Sequence, residues 1–455
     1  MVGPRTRGYA IHKLGFCSVV MLGINSIIGA GIFLTPGEVI GLAGPFAPMA
    51  YVLAGIFAGV VAIVFATAAR YVRTNGASYA YTTAAFGRRI GIYVGVTHAI
   101  TASIAWGVLA SFFVSTLLRV AFPDKAWADA EQLFSVKTLT FLGFIVALSA
   151  FIVGGLWIIT TQHVNNYATA WSAYSATPYS LLGVAEIGKG TFSSMALATI
   201  VALYAFTGFE SIANAAEEMD APDRNLPRAI PIAIFSVGAI YLLTLTVAML
   251  LGSNKIAASD DTVKLAAAIG NATFRTIIVV GALISMFGIN VAASFGAPRL
   301  WTALADSGVL PTRLSRKNQY DVPMVSFAIT ASLALAFPLA LRFDNLHLTG
   351  LAVIARFVQF IIVPIALIAL ARSQAVEHAA VRRNAFTDKV LPLVAIVVSV
   401  GLAVSYDYRC IFLVRGGPNY FSIALIVITF IVVPAMAYLH YYRIIRRVGD
   451  RPSTR

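Results

Sequence analysis

The sequence predicts an all-α polytopic membrane protein, and three observations support this fold class. Hydrophobic residues make up 59% of the 455 residues and charged residues only 11%, whereas soluble proteins carry about 25% charge. Apolar runs of the length that a helix needs to cross a bilayer recur along the whole chain. Two of these runs are interrupted by glycine beside polar residues, which a helix that only crosses a bilayer does not need.

Twelve apolar runs are long enough to span a membrane, so about twelve transmembrane helices are expected. They fall at 14–35, 45–70, 90–120, 138–158, 165–184, 194–214, 229–252, 273–298, 325–341, 349–371, 390–408 and 420–442. The fifth run is the most polar of the twelve. We keep it because the 33 Lys and Arg residues then divide 22 to 10 in favour of the side that holds the N-terminus, with one inside a span. That bias follows the positive-inside rule and predicts cytoplasmic N- and C-termini.

Charge and composition exclude several classes of protein. Basic cytoplasmic loops and a basic tail account for the net charge of +14, so no nucleic-acid partner is expected. Cys17 falls in the first predicted span and Cys410 lies two residues beyond the eleventh, which argues against a disulfide framework or a metal cluster. A phosphate-binding loop followed by Lys is missing, and no nucleophile–base set stands out. We therefore expect no enzyme, no catalytic residues, no cofactor and no metal.

The first predicted span contains Gly23-Ile-Asn-Ser-Ile-Ile-Gly-Ala-Gly-Ile-Phe33. If the helix breaks at Gly29-Ala30-Gly31, the next half-helix points its free amides into a cavity, and a helix N-terminus favours an anion such as a carboxylate. Carbonyls freed just before the break, near Ile27, favour an ammonium group. The alternative is close helix packing through small residues, but the adjacent Asn25 and Ser26 favour a binding site.

A second interrupted run lies about five spans later, in Leu203-Tyr-Ala-Phe-Thr-Gly-Phe-Glu-Ser-Ile-Ala213. Two interrupted spans at corresponding positions indicate an inverted repeat of spans 1–5 and 6–10, with the substrate bound at mid-membrane. Glu210 is a candidate for proton coupling, because burial favours the protonated form of a carboxyl group. The alternative is a structural Glu hydrogen-bonded to unwound backbone. Tyr204 and Phe206 are candidates to cap a bound substrate.

Three other polar features have a structural interpretation beside the functional one. Arg356 lies within a predicted span and is expected to pair with a carboxylate or a carbonyl, or to snorkel to an interface. Asn290 lines the cavity or packs within its helix, with no preference between the two. The loop 217–231 is acidic and then basic, and it lacks the ligand spacing of a calcium loop, so we interpret it as a cytoplasmic connection.

Five stretches in the same order resemble the amino acid–polyamine–organocation family of transporters, and the match covers most of the chain. They are Ile27-Ile-Gly-Ala-Gly-Ile-Phe33, Asn75-Gly-Ala-Ser-Tyr-Ala-Tyr81 with Phe86-Gly87, Phe206-Thr-Gly-Phe-Glu210, Glu217–Pro231 and Arg299–Pro311. The resemblance implies a leucine-transporter-like fold of ten spans in a five-plus-five inverted repeat, here with two more helices at the C-terminus.

The resemblance also implies roles for individual residues. Amides around Ala30 and Gly31 hold the substrate carboxylate, and carbonyls near Ile27, Tyr204 and Thr207 hold the α-amino group. Tyr204 stands where a relative that exchanges arginine for agmatine carries a gating Trp, and Glu210 matches that relative's proton-sensing Glu. Ser175, three residues before Pro178, replaces a Lys that stands in for sodium in many members. The full set of predicted substrate-binding residues is Ser26, Ile27, Gly29, Ala30, Gly31, Tyr204, Phe206, Thr207 and Gly208.

We therefore predict a secondary transporter of amino acids in the plasma membrane, working by alternating access. Proton symport of a neutral amino acid is the first mechanism; amino-acid exchange and transport of a cationic amino acid are the alternatives, with a flux-free membrane sensor a remote one. Substrate, protons and lipid are the expected partners, and no oligomeric state is predicted. The predicted parts are an arm (1–13), two repeat halves (14–184 and 185–373), two further helices (374–442) and a basic tail (443–455).

Overall fold

Long helices dominate the structure because apolar residues fill both faces of most runs, and in lipid a helix satisfies its own backbone hydrogen bonds. The computed structural model describes residues 15–29, 31–72, 77–121, 137–174, 178–181, 185–189, 191–209, 222–259, 263–319, 322–342, 345–372, 384–414 and 417–449. Ala30, Ser175 and Glu210, which the sequence singles out, lie outside these residues.

The first half of the chain holds eight helices in the described residues: α1 (Phe16–Ile27), α2 (Gly31–Ala43), α3 (Ala47–Tyr71), α4 (Ala77–Phe86), α5 (Arg88–Ala121), α6 (Lys137–Gln162), the four-residue α7 (Ala170–Ala173) and α8 (Thr191–Phe206). The next eight are α9 (Pro222–Ala257), α10 (Ala272–Asp306), α11 (Met324–Ala340), α12 (Asn345–Arg372), α13 (Leu391–Ser405), α14 (Arg409–Phe412), α15 (Tyr420–Val427) and α16 (Val433–Gly449).

Short elements connect the helices. Turns of 3-10 helix lie at Gly44–Phe46, Tyr167–Thr169, Lys264–Ala268 and Thr312–Leu314, and π-helical turns lie at Phe386–Val390 and Ile428–Val432. Two antiparallel hairpins pair β1 (Pro178–Leu181) with β2 (Ala185–Lys189), and β3 (Leu413–Val414) with β4 (Gly417–Pro418).

Seven helical stretches among the described residues are long and apolar enough to cross a membrane. They are Gly31–Tyr71, Arg88–Leu117, Arg228–Ala257, Ala272–Asp306, His347–Arg372, Phe386–Ser405 and Tyr420–Arg443, and three shorter apolar stretches are Leu148–Gln162, Phe192–Phe206 and Met324–Ala340. The chain is a polytopic helical membrane protein, as its sequence predicts.

The prediction of a fifth span over 165–184 is wrong. Its described residues form a 3-10 turn, the short helix α7 and strand β1. Asn166 donates its backbone N–H to the carbonyl of Leu250 (2.9 Å), and the Tyr167 hydroxyl donates to the carbonyl of Pro45 (2.7 Å). These contacts hold the segment at one end of the helix bundle. The polar composition of 165–184 correctly indicates that this segment does not cross the membrane. The division of Lys and Arg between the two sides, which favoured a span there, led to the wrong prediction.

Contacts between helices fix their directions relative to Pro45, which lies in the turn between α2 and α3; we call that end of the bundle the Pro45 end. Helix α2 starts beside Ala205 of α8 and ends at this turn, and its residues Leu34 and Thr35 share a cavity with Val201 of α8. Helix α8 is therefore antiparallel to α2 and begins at the Pro45 end.

Helix α5 ends at the Pro45 end as well. It runs antiparallel to α10, since Gly95 lies against Leu304 and the Leu109 carbonyl accepts from Asn290 Nδ2 (3.1 Å). Its Phe112, near the C-terminal end of the helix, lines the same cavity as Leu34 and Thr35.

Candidate functional site

The first helix is interrupted where the sequence predicts a break. Helix α1 ends at Ile27, and Ile28 takes an extended conformation (φ −76°, ψ 97°) before α2 begins at Gly31. A helix that starts at Gly31 leaves its first amides without partners inside the helix. This segment therefore offers N–H groups at the start of α2 and carbonyls at the end of α1.

The second interruption follows α8. Thr207 donates both its backbone N–H (3.2 Å) and its hydroxyl (2.7 Å) to the Tyr204 carbonyl, which ends the helix in a tight turn. Gly208 has a φ of +115°, a backbone conformation that residues with a β-carbon rarely adopt. The glycine in Phe206-Thr-Gly-Phe is thus required by the geometry of the break.

The two interruptions touch each other. A β-carbon added to Gly31 would lie 2.6 Å from the Ala205 Cα and 2.9 Å from its Cβ, so the start of α2 packs directly on the last turn of α8. A β-carbon on Gly29 would lie 3.2 Å from Cγ1 of Ile289 in α10. Glycine in the first break therefore permits both the change of direction and this close approach.

Tyr241 of α9 joins the two breaks and was missed by the sequence analysis. Its hydroxyl lies 3.0 Å from the Ala205 carbonyl and 3.4 Å from the Ile27 carbonyl, and donates toward both. Its side chain is fully buried. A lone Tyr in an apolar run carries no pattern that would distinguish it, because only the fold brings it to the breaks.

Tyr204 presents a buried hydroxyl with no hydrogen-bond partner among the described residues. Its side chain is 5% exposed, and a buried polar group left unpaired costs about 1–3 kcal/mol. The guanidinium of Arg356 in α12, 7% exposed, lies within electrostatic range of this hydroxyl and donates to the Ala352 carbonyl (2.7 Å). A buried cation and an unpaired hydroxyl thus stand beside the second break.

Aromatic rings pack around the second break. The Phe206 ring centroid lies 5.2 Å from that of Tyr241 and 6.4 Å from that of Tyr51, so this ring fills space between α8, α9 and α3. Phe209 stacks on Phe360 of α12 with centroids 6.0 Å apart. The structure therefore places Phe206 in packing that supports the break.

A small cavity lies between the breaks and the Pro45 end. An ion pair lies at it, with Lys264 Nζ 2.9 Å from Glu38 Oε1, the two side chains being 14% and 30% exposed. Gly37 leaves room for the Lys264 side chain, because a β-carbon there would meet its Cδ. The lining residues are Leu34, Thr35, Glu38, Phe112, Val201, Lys264 and Thr349. Neither charge was singled out in the sequence, since the two are more than two hundred residues apart.

The remaining predicted residues are placed as follows. Asn290 donates to the carbonyls of Leu109 (3.1 Å) and Met286 (2.8 Å), which ties α10 to α5, and its buried Oδ1 has no hydrogen-bond partner in the part of the chain that the structure describes. Ser26 lies in the last turn of α1. No group of three or more His, Cys, Asp or Glu that could hold a metal occurs among the residues that the structure describes.

Comparison with known proteins gives both near and distant relatives. The profile of the amino acid permease family matches residues 14–437. An uncharacterized transporter of Mycobacterium tuberculosis strain H37Rv is 94% identical over 481 aligned positions that cover both chains completely. A branched-chain amino acid permease of Bacillus subtilis is 26% identical, over 80% of this chain and 82% of its own. A vacuolar cationic amino acid transporter of Arabidopsis thaliana is 24% identical, over 77% of this chain and 58% of its own.

Proposed function

Because the chain belongs to the amino acid permease family, a family of transporters and not of enzymes, we propose that it carries a neutral amino acid by proton-coupled alternating access. The observation that carries this proposal is the direct contact of the two helix breaks, Gly31 on Ala205. Two breaks that meet inside a helical bundle offer polar backbone groups to a substrate in an otherwise apolar interior.

The zwitterion of an amino acid fits the polarity of these backbone groups. The amides at Ala30 and Gly31, at the positive end of α2, would hold its carboxylate. The carbonyls at Ile27 and Thr207 would hold its ammonium group. The Tyr204 carbonyl is less available, because it already accepts two hydrogen bonds from Thr207.

The charges near the breaks favour a neutral substrate over a cationic one. The Tyr204 hydroxyl has no partner among the described residues and would gain one from a bound substrate. Arg356 places a positive charge within electrostatic range of that hydroxyl, and it would repel a lysine or arginine side chain. A neutral substrate also agrees with the branched-chain permease of B. subtilis among the distant relatives.

Glu210 is the proposed proton carrier. It follows the second break by two residues in sequence, after Gly208-Phe209, and an ionisable group within a span is usually functional. Amino-acid exchange is the second candidate mechanism. The resemblance supports exchange through Ser175 in place of a Lys, and that comparison assumes a fifth span that the described residues of 165–184 do not form. The remaining predictions of the sequence also stand as proposals: insertion in the plasma membrane and cytoplasmic termini. With a cytoplasmic N-terminus, the Pro45 end would face outward.

Uptake of radiolabelled amino acids into proteoliposomes tests the proposal. The panel holds neutral, cationic and acidic amino acids, each with and without an inward proton gradient, for this chain, its Glu210→Gln variant and the 94% identical M. tuberculosis relative. We expect gradient-driven accumulation of a neutral amino acid that the Glu210→Gln variant loses. Uptake that does not depend on the proton gradient but requires amino acid inside the proteoliposomes would indicate exchange and not symport. Binding without uptake in any protein would indicate a sensor.

A further inference from the structure

The described residues between α5 and α8 hold an odd number of membrane-length helices, although α5 ends and α8 begins at the same end of the bundle. Helix α5 ends and α8 begins at the Pro45 end, as their shared cavity shows. A chain that leaves one end of the bundle and returns to the same end must cross the membrane an even number of times. Between these helices the described residues hold one helix of membrane length, the 26-residue α6.

The connections on the two sides of α6 supply no second crossing. After α6, Asn166 and Tyr167 are hydrogen-bonded at the Pro45 end to Leu250 and Pro45, and the described residues that follow form α7 and a hairpin. Before α6, residues 122–136 are too few for the roughly 20 that a spanning helix needs. That stretch also contains Pro123 and four charged residues, Asp124, Lys125, Asp129 and Glu131.

The aligned M. tuberculosis relative is longer than this chain. The alignment with the M. tuberculosis relative has 481 positions, 26 more than the 455 residues of this chain, and covers both chains from end to end. At least 26 internal positions of the relative therefore have no counterpart in this chain. A segment of 26 residues is long enough for one membrane-spanning helix.

We infer that this chain lacks one membrane crossing of its near relatives, between the end of α5 and Gly154 of α6. Gly154 and Gly155 bound the gap, because from there on α6 packs closely against its neighbours, Gly154 on Phe274 of α10 and Gly155 on Val247 of α9. Without a returning partner, α6 is not held across the bilayer, and the scaffold that supports the two breaks is incomplete. Since the breaks lie in α1, α2 and α8, the chain keeps the proposed binding residues.

Labelling of single cysteines tests the inference in cells, with Cys17 and Cys410 first replaced by Ala. Val153 of α6 is 65% exposed on the helix surface, and Leu335 of α11 is 67% exposed. If α6 spans the bilayer, Val153→Cys lies in lipid and resists a membrane-impermeant maleimide, as Leu335→Cys does. We expect Val153→Cys in this chain to label as fast as Gln162→Cys at the end of α6. The equivalent cysteine should be protected in the relative and in this chain carrying the relative's additional residues.

Protection of Val153→Cys in this chain, equal to that of Leu335→Cys, would overturn the inference. Uptake measured in parallel tests the proposed function separately from the inference. Uptake by the relative, the lengthened chain and this chain supports the proposed function, whatever the labelling shows about the crossing. If no protein takes up any amino acid, the proposed function fails, while the labelling pattern still decides whether the crossing is absent.

Discussion

The two halves of the predicted repeat differ in their supporting helices and agree in their interrupted ones. The first half runs from the α1–α2 break through α3, the short α4, α5 and α6. The second half runs from the α8 break through α9, the short 3-10 turn Lys264–Ala268, α10, α11 and α12. The elements of the two halves correspond in the same order. Helix α12 of the second half has no counterpart among the described residues of the first half.

The difference shows which parts of this architecture depend on one another. The two breaks are held by contacts among α2, α8 and α9, through Gly31, Ala205 and Tyr241. None of these contacts involves α6. The candidate binding site and the peripheral scaffold are thus separable in the structure, and substitutions at the breaks should affect substrate binding even where a supporting helix is missing.

The largest effect is expected from Gly31→Ala, which tests whether contact between the breaks forms the site. The new β-carbon would lie 2.6 Å from the Ala205 backbone, which has no flexible side chain to move aside. Overpacking of this kind costs about 1–3 kcal/mol, or roughly a fivefold to 150-fold loss of affinity. The measurement is the Kd for the amino acid that the uptake panel identifies, by isothermal titration in detergent.

Gly41→Ala is the matched control for that substitution. Gly41 lies in the same helix, and a β-carbon there would meet nothing within 4 Å. Its affinity should equal that of the unsubstituted chain. Equal affinity in Gly31→Ala as well would show that the substrate does not bind where the two halves meet.

A smaller effect is expected from the Glu38–Lys264 ion pair, which joins α2 of the first half to the 3-10 turn of the second. Charge reversal at one residue, Glu38→Lys, should loosen the Pro45 end. A partly exposed pair contributes about 1 kcal/mol at most, so accessibility of the cavity should rise roughly fivefold. The rate at which Thr349→Cys reacts with a soluble maleimide measures this accessibility, in a chain in which Cys17 and Cys410 are replaced by Ala.

The reversed pair Glu38→Lys with Lys264→Glu should return accessibility toward its original value, because the attraction is restored with opposite signs. Neutralising the surface pair Asp407–Arg409, whose side chains are 39% and 40% exposed, should change nothing at the cavity. An unchanged rate in the single Glu38→Lys variant would mean that other contacts hold this end closed.

The sequence predicts the features that depend on local composition. Apolar runs gave most of the membrane helices, and glycines beside polar residues gave both breaks, including Gly208 with its positive φ. It does not predict features that depend on distant residues meeting. Tyr241, Glu38 and Lys264 occupy ordinary positions in their own segments and become significant only where the helices pack. The prediction of the fifth span failed for the same reason, because Asn166 and Tyr167 are held by Leu250 and Pro45, which lie far away in the sequence.

The smallest effect is expected from replacing Tyr204 of α8 and Tyr241 of α9 by Phe. We expect the free energy of unfolding to change in opposite directions at the two residues. The Tyr241 hydroxyl donates to the Ala205 carbonyl and joins the halves, so Tyr241→Phe should lower stability by about 1 kcal/mol. The Tyr204 hydroxyl has no partner among the described residues, so Tyr204→Phe should leave stability unchanged or raise it. If a substrate supplies the missing partner, Tyr204→Phe should weaken binding roughly fivefold.

Thermal unfolding and ligand titration in detergent measure the two effects, with Tyr420→Phe, 75% exposed, as the control. A loss of stability without a loss of affinity in Tyr204→Phe would place its hydroxyl in the packing of α8 and remove it from the substrate site.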